Sequence, residues 1–237
     1  MENKSFKILF IGNSYTYVNN LPAIFGEIAK EAGYNLHIAA VTNGGWTLEK
    51  HATVADVYGA AVDAVLKGEK FDYVILQEQS LRPSVNTEPF FKAVRDLMEK
   101  IKLNGATAFL YGTWGRKEGS AALEEHSMTQ EEMTYKTAAS YAKAANEHNI
   151  NVAQTGFAYW DVCKNHPEIE LFATDKSHPS KSGSFLSALT IYAKLFGKDP
   201  REIKYTMNLE ESEANILKTA AFDAVYNAPE IPENYKN

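Results

Sequence analysis

The sequence contains one cysteine, Cys163, so an intrachain disulfide is excluded and that thiol reads as a small buried or surface side chain. No apolar run approaches the roughly 18 residues of a membrane span, so no membrane partner is expected. Basic residues are not in excess: 24 Lys and Arg against 30 Asp and Glu give a formal net charge of −6. That balance argues against a nucleic-acid or anionic-membrane surface. There is no HExxH motif and no histidine pair at zinc-ligand spacing, so no metal is expected. Neither GxGxxG nor GxxxxGK[ST] occurs, and the NGG at 43–45 is too short for a phosphate loop. There is no linker, internal repeat or low-complexity segment. The opening MENKSFKILF has no signal-peptide h-region. Taken as it stands, this predicts a cytoplasmic protein, or a periplasmic or secreted one if a leader was cut from a longer chain.

What is present is a globular composition, 45% hydrophobic and 23% charged over 237 residues. That is enough chain to bury a core as a single domain spanning 1–237. Short apolar runs alternate with longer amphipathic segments. Strands are predicted at 6–11, 36–41, 73–76, 106–111 and 151–154. Helices are predicted at 21–32, 54–66, from about Pro89 to 103, 129–148, 180–196 and 208–226. Thr129 and Glu132 stand at capping-box spacing. Strand–helix alternation implies parallel pairing and right-handed crossovers. The expected fold is a three-layer α/β/α sandwich with a five-stranded parallel sheet in flavodoxin-like order. The polar or Gly-rich segments 12–15, 43–46, 77–80 and 112–114 each follow a predicted strand. They should therefore converge beyond the carboxyl edge of the sheet.

Ser14 follows the first strand, in GNSYT. A serine hydroxyl is a weak nucleophile until a base takes its proton. His178, in DKSHP, is the candidate base, and Asp175 three residues earlier can orient its second ring nitrogen. Gly12 permits a sharp turn, and Asn13 can hold that turn by hydrogen bonds. An oxyanion hole needs donors aimed at the developing charge. The N–H of Ser14 is one candidate, and Gly44 or Gly45 offers a second. His51 lies close enough in sequence to edge the pocket. Arg82 and Arg116 are candidates for contact with an acidic substrate group, though a solvated surface cation is the favoured reading of each.

These blocks resemble the SGNH (GDSL-like) hydrolase superfamily. GNSYT stands in place of GDS(L), the glycine of NGGW in the second block, LQEQS in place of GxND, and DKSHP matches DxxH. The resemblance spans Ile8 to about Phe196 and is greatest to a branch with GNSxT and QEQS blocks, near carbohydrate esterases. It implies that the third oxyanion donor is a side-chain amide. LQEQS supplies two, Gln77 and Gln79, and the sequence does not choose between them. Glu78 between them should point away. It further implies an esterase with a Ser14–His178–Asp175 triad and no cofactor, which removes a small acyl group, with acetyl the expected case, from a small-molecule or carbohydrate ester.

Tyr15, Tyr17, Trp46, Trp114 and Trp160 include three aromatics close to the converging loops, and Trp46 and Trp114 suggest a sugar-stacking or aryl-ester site, with ordinary core packing the equal alternative for each. Two alternatives stand beside the esterase. One is a lipase, thioesterase or acyltransferase on the same fold, which a long apolar groove would favour. The other is a catalytically silent glycan-binding module, which the altered third block would favour.

Overall fold

The computed structural model describes residues 4–236. Five parallel strands form one sheet in the order β2-β1-β3-β4-β5, the flavodoxin-like order. They are β1 (Lys4–Gly12), β2 (Tyr34–Thr42), β3 (Tyr73–Leu76), β4 (Thr107–Gly112) and β5 (Asn151–Gln154). The apolar stretch Ile8–Ile11 of β1 pairs with Ile38–Val41 on one side and Tyr73–Leu76 on the other. Its alternate residues enter two separate cores, as the period-two pleat dictates.

Ile8 and Phe10 join Ile75, Phe109 and Tyr111 in one core. That layer is closed by α1 (Leu21–Glu31), α5 (Thr155–Asn165), α6 (Lys181–Phe196) and α7 (Glu211–Tyr226). Leu9 and Ile11 join Val74, Leu76, Ala108 and Leu110 in the other. That layer is closed by α2 (Val57–Gly68), α3 (Thr87–Asn104) and α4 (Gln130–His148). Sheets covered on both faces carry continuous apolar strands, which is why alternation with polar residues is missing from β1 and β3. The capping box at Thr129 and Glu132 starts α4 as its spacing predicts.

Three differences from the sequence reading matter. α5 was not predicted: it begins at Thr155, directly after β5, with no intervening loop to announce it. Short helices at Ser14–Tyr17, overlapping the 12–15 loop, and at Leu48–Ala52 fall where no helix is predicted. Several helix ends also shift, with α2 starting at Val57 and α7 at Glu211.

From β1 the chain passes first to β2 on one side and then to β3 on the other, so the strand order reverses around β1. In open parallel sheets a crevice forms at such a reversal, beyond the carboxyl ends.

Candidate active site

Ser14 sits in that crevice. Gly12 ends β1, and a Cβ there would lie 2.6 Å from both the Gln77 Oε1 and the Thr16 Oγ1. Glycine therefore lets the β3 loop close onto the turn. Asn13 caps the short helix that follows, accepting from the Tyr15 N–H at 3.1 Å. Its Nδ2 donates to the Trp46 carbonyl at 2.9 Å, so one side chain joins the turn to the NGGW loop. The N–H of Ser14 makes no hydrogen bond to a described residue, and neither do those of Gly44 and Gly45. Gly45, at φ +69°, is in the left-handed region that favours glycine.

The histidine arrives on a separate loop between α5 and α6, closed at its base by an isolated antiparallel bridge between Phe172 and Pro179. Asp175 shapes it from within: Oδ1 accepts from the N–H groups of Ser177 at 3.0 Å and His178 at 2.9 Å. Oδ2 accepts from the His178 Nδ1 at 2.5 Å. With its proton on Nδ1, the ring presents Nε2 as an acceptor, and the Ser14 hydroxyl lies 2.7 Å from it. Burial alone would raise the Asp175 carboxyl. The His178 hydrogen bond and the two backbone donors outweigh it and hold the group below its ordinary value. The three residues thus form an unbroken Ser–His–Asp relay.

The two glutamines separate cleanly. Gln77 is 1% exposed, and its amide is fully engaged. Oε1 accepts from the Asn13 N–H and the Thr16 hydroxyl, both at 2.9 Å, and Nε2 donates to the Glu78 carbonyl. It does not face the cleft. Gln79 does. Its Oε1 accepts from the N–H groups of Leu81 at 2.9 Å and Arg82 at 3.3 Å, which fixes the amide orientation. Its Nε2 makes no hydrogen bond to a described residue and is left for the cleft. Glu78 points away, as expected, with Oε1 accepting from the N–H groups of Leu48 and Gln79 at 3.0 and 2.6 Å. Burial pushes its carboxyl up to about 7.

The aromatics require correction. Trp114 is fully buried, sandwiched between Tyr15 at 4.5 Å and Tyr159 at 4.1 Å with nearly parallel rings. No sugar can stack on it. It is scaffolding: its Nε1 donates to the Ser177 carbonyl at 3.2 Å, and the Tyr15 hydroxyl bonds the Ser177 hydroxyl at 2.6 Å. The stack therefore ties the Ser14 turn to the His178 loop, and such ring pairs contribute about 0.5–1.5 kcal/mol each beyond their buried area. Trp46 is half-buried and packs edge-on against Tyr58 at 4.6 Å. It does not line the cleft either. His51 is buried beneath the turn, its Nε2 donating to the Gly12 carbonyl at 2.8 Å, and burial lowers its pKa. It does not edge the pocket.

The cleft is open, with a volume of about 330 Å³. Gly44, Gly45, Gln79 and His178 line it with Ser14, as do Tyr17, Ser80, Arg116 and Ser177. Sequence reasoning missed Ser177, placed Ser80 only as part of the 77–80 loop, and favoured a solvated Arg116 over one in contact with an acidic substrate group. The position of Arg116 just after Trp114, on the β4 loop, was the available signal. Among the described residues no aliphatic side chain lines this cleft, whose apolar surface comes from Tyr15 and Tyr17.

A buried serine activated by a histidine–carboxylate pair, beside unbonded N–H donors, defines a serine hydrolase. No protein-family model and no curated protein matches the sequence. Solved structures do. An SGNH hydrolase from Slackia heliotrinireducens is 29% identical, with a TM-score of 0.72, over 81% of this chain and 100% of that one. A DUF4886 family protein from Bacteroides uniformis is 19% identical, with a TM-score of 0.83, over 97% of this chain and 98% of that one. The acetyl xylan esterase AlAXEase is 18% identical, with a TM-score of 0.55, over 77% of this chain and 96% of that one. In fold and site the chain is similar to the SGNH (GDSL-like) hydrolases, and it is an ester-hydrolysing serine hydrolase.

Proposed function

We propose that the protein is a serine esterase that removes a small acyl group, acetyl being the expected case, from a small polar alcohol or sugar. The observation that carries this is the Ser14–His178–Asp175 relay, with 2.7 and 2.5 Å links, opening on a cleft of about 330 Å³. Ser14 attacks the ester carbonyl while His178 takes its proton. Asp175 stabilises the imidazolium that results. The negative oxygen is received by the Ser14 N–H, the glycine N–H groups of the NGGW loop and the Gln79 amide. His178 then protonates the leaving alcohol. It next activates a water, which frees the acyl group and restores Ser14.

The small cleft, walled by hydroxyl, amide and glycine groups together with the rings of Tyr15 and Tyr17, favours a short acyl chain over the long chain of a lipase or thioesterase substrate. The intact relay disfavours a silent binding module. The carbohydrate reading rests on Tyr17, a cleft aromatic that is 46% exposed, and on the fold shared with the acetyl xylan esterase. Trp46 and Trp114 no longer support it.

The test is a fluorophosphonate probe with acetylated sugars and 4-nitrophenyl acetate as substrates. The probe should label Ser14, and Ser14→Ala should lose both labelling and turnover. Labelling that persists in the variant would assign the nucleophile elsewhere.

A further inference from the structure

Arg116 is an unpaired cation at the wall of the cleft. Two cations near it in the chain or the fold have carboxylates, Arg82 meeting Glu49 at 2.9 Å and Lys117 meeting Glu170, while Lys176 donates to the Gly119 carbonyl at 2.8 Å. Arg116 forms no ion pair with any described residue, in a chain with 30 Asp and Glu. Its Nη2 donates to the Ser80 hydroxyl at 3.0 Å. Its Nε is enclosed and has no acceptor, so the protein leaves the charge uncompensated from within. Nη1 has no partner among the described residues and, unlike Nε, is not enclosed.

The arm is also held in place. Its N–H contacts the Met133 sulfur at 3.4 Å. Gly115 before it packs so closely on α4 that a Cβ would lie 2.3 Å from the Gln130 carbonyl. A half-buried guanidinium without a partner is costly unless something supplies the opposite charge. Here the place left for that charge is the cleft that holds Ser14.

We propose that Arg116 is a substrate-binding residue that selects esters carrying a carboxylate, received by the Nη1 and Nη2 edge. This rests on the esterase reading above. A planar carboxylate fits the guanidinium fork by two parallel hydrogen bonds. One cation matches one negative charge, which favours a carboxylate over a doubly charged phosphate. Ser80, which lines the cleft and accepts from Nη2, keeps a hydroxyl proton that it can donate to the same carboxylate.

Two matched substrate pairs test this and locate the charge. A 4-nitrophenyl hemisuccinate and its methyl ester place the carboxylate on the acyl side. An O-acetyl hydroxy acid and its methyl ester place it on the alcohol side. In one pair, the wild-type protein should favour the charged member by about 10-fold or more in kcat/KM. Arg116→Ala should cut that preference about 10- to 100-fold, mainly through KM, and Arg116→Lys should restore part of it. In a Ser14→Ala background, calorimetry should show the charged member of that pair binding more tightly than its methyl ester, and Arg116→Ala should erase the difference. No preference in either pair, or equal losses on charged and neutral members, would overturn the proposal. Hydrolysis of the neutral esters that disappears in Ser14→Ala would uphold the esterase reading in that case. No hydrolysis of any ester would remove both.

Discussion

The wall that carries Ser14 is enclosed: Asn13 is 2% exposed, Gln77 1% and Glu78 0%. The facing wall is not, since 35% of the His178 side chain and 49% of the Asp175 side chain remain in solvent. The first is built on strand ends and on side-chain hydrogen bonds that span the β1, β2 and β3 loops. The second is one loop, shaped by its own aspartate and pinned from below by Ser177. The difference matches the work that the proposed mechanism gives each side. Oxyanion donors gain their strength from not reorganising as charge develops, which requires a buried, saturated frame. The base must pass a proton to a departing alcohol and take one from an arriving water, which requires access.

The largest expected effect breaks the open wall. His178→Ala should lower kcat/KM by about 10⁴–10⁶-fold, and the double variant with Ser14→Ala should be no worse, because a relay fails as a unit. Steady-state hydrolysis of a neutral 4-nitrophenyl ester measures this. Multiplying losses would show that the two residues act independently.

A smaller effect divides the enclosed wall into a reacting part and a supporting part. Gln79→Ala should lower kcat by about 10²–10³-fold with little change in Tm, as the loss of one oxyanion donor does. Gln77→Ala should do the reverse. It strands the buried Asn13 N–H and the Thr16 hydroxyl, at about 1–3 kcal/mol for each unsatisfied group. Kinetics and thermal melts of both variants check the split, and the opposite pattern would reverse the assignment.

The smallest effect reads the burial of the enclosed wall through pH. Glu78 is raised from 4.5 to about 7 by burial. Between those values the folded protein holds a proton that the unfolded chain has released. The stability from this group is fully present below about pH 4.5 and is lost as pH rises through about 7. The gap corresponds to roughly 3 kcal/mol. Glu78→Gln keeps an oxygen for the Leu48 and Gln79 N–H groups but cannot ionise. Its stability relative to wild type should therefore increase between pH 5 and pH 8. A constant difference would mean that Glu78 ionises normally.

The sheet order was legible because apolar runs too short for helices alternate with amphipathic segments too long for strands. The relay was legible because a serine after a strand and an aspartate three residues before a histidine restrict the chemistry. The Gln77–Gln79 choice was not. Gln77 still belongs to the ladder, its N–H donating to the Ile11 carbonyl at 2.9 Å, whereas Gln79 lies past the last rung and turns into the cleft. Where a strand stops pairing is decided by its neighbours and not by its own residues. Trp114 misled for a related reason. A position after a strand end places a side chain near the site but does not give its depth, and here two tyrosines cover both ring faces. α5 was hidden because TGFAYWDVCKN follows β5 without a break in the chain's apolar character.

Gly12, Thr16 and Gln77 interlock, since a Cβ at position 12 would lie 2.6 Å from the polar atoms of both partners. None of the three lines the cleft, yet changing one disturbs the others, as Gln77→Ala does by stranding the Asn13 N–H and the Thr16 hydroxyl. Over generations such a trio is inherited or lost together, through an intermediate that folds poorly. A lineage with this turn should therefore be traceable by a glycine, a threonine four residues on and a glutamine at the end of the third strand, even in descendants whose serine has been replaced.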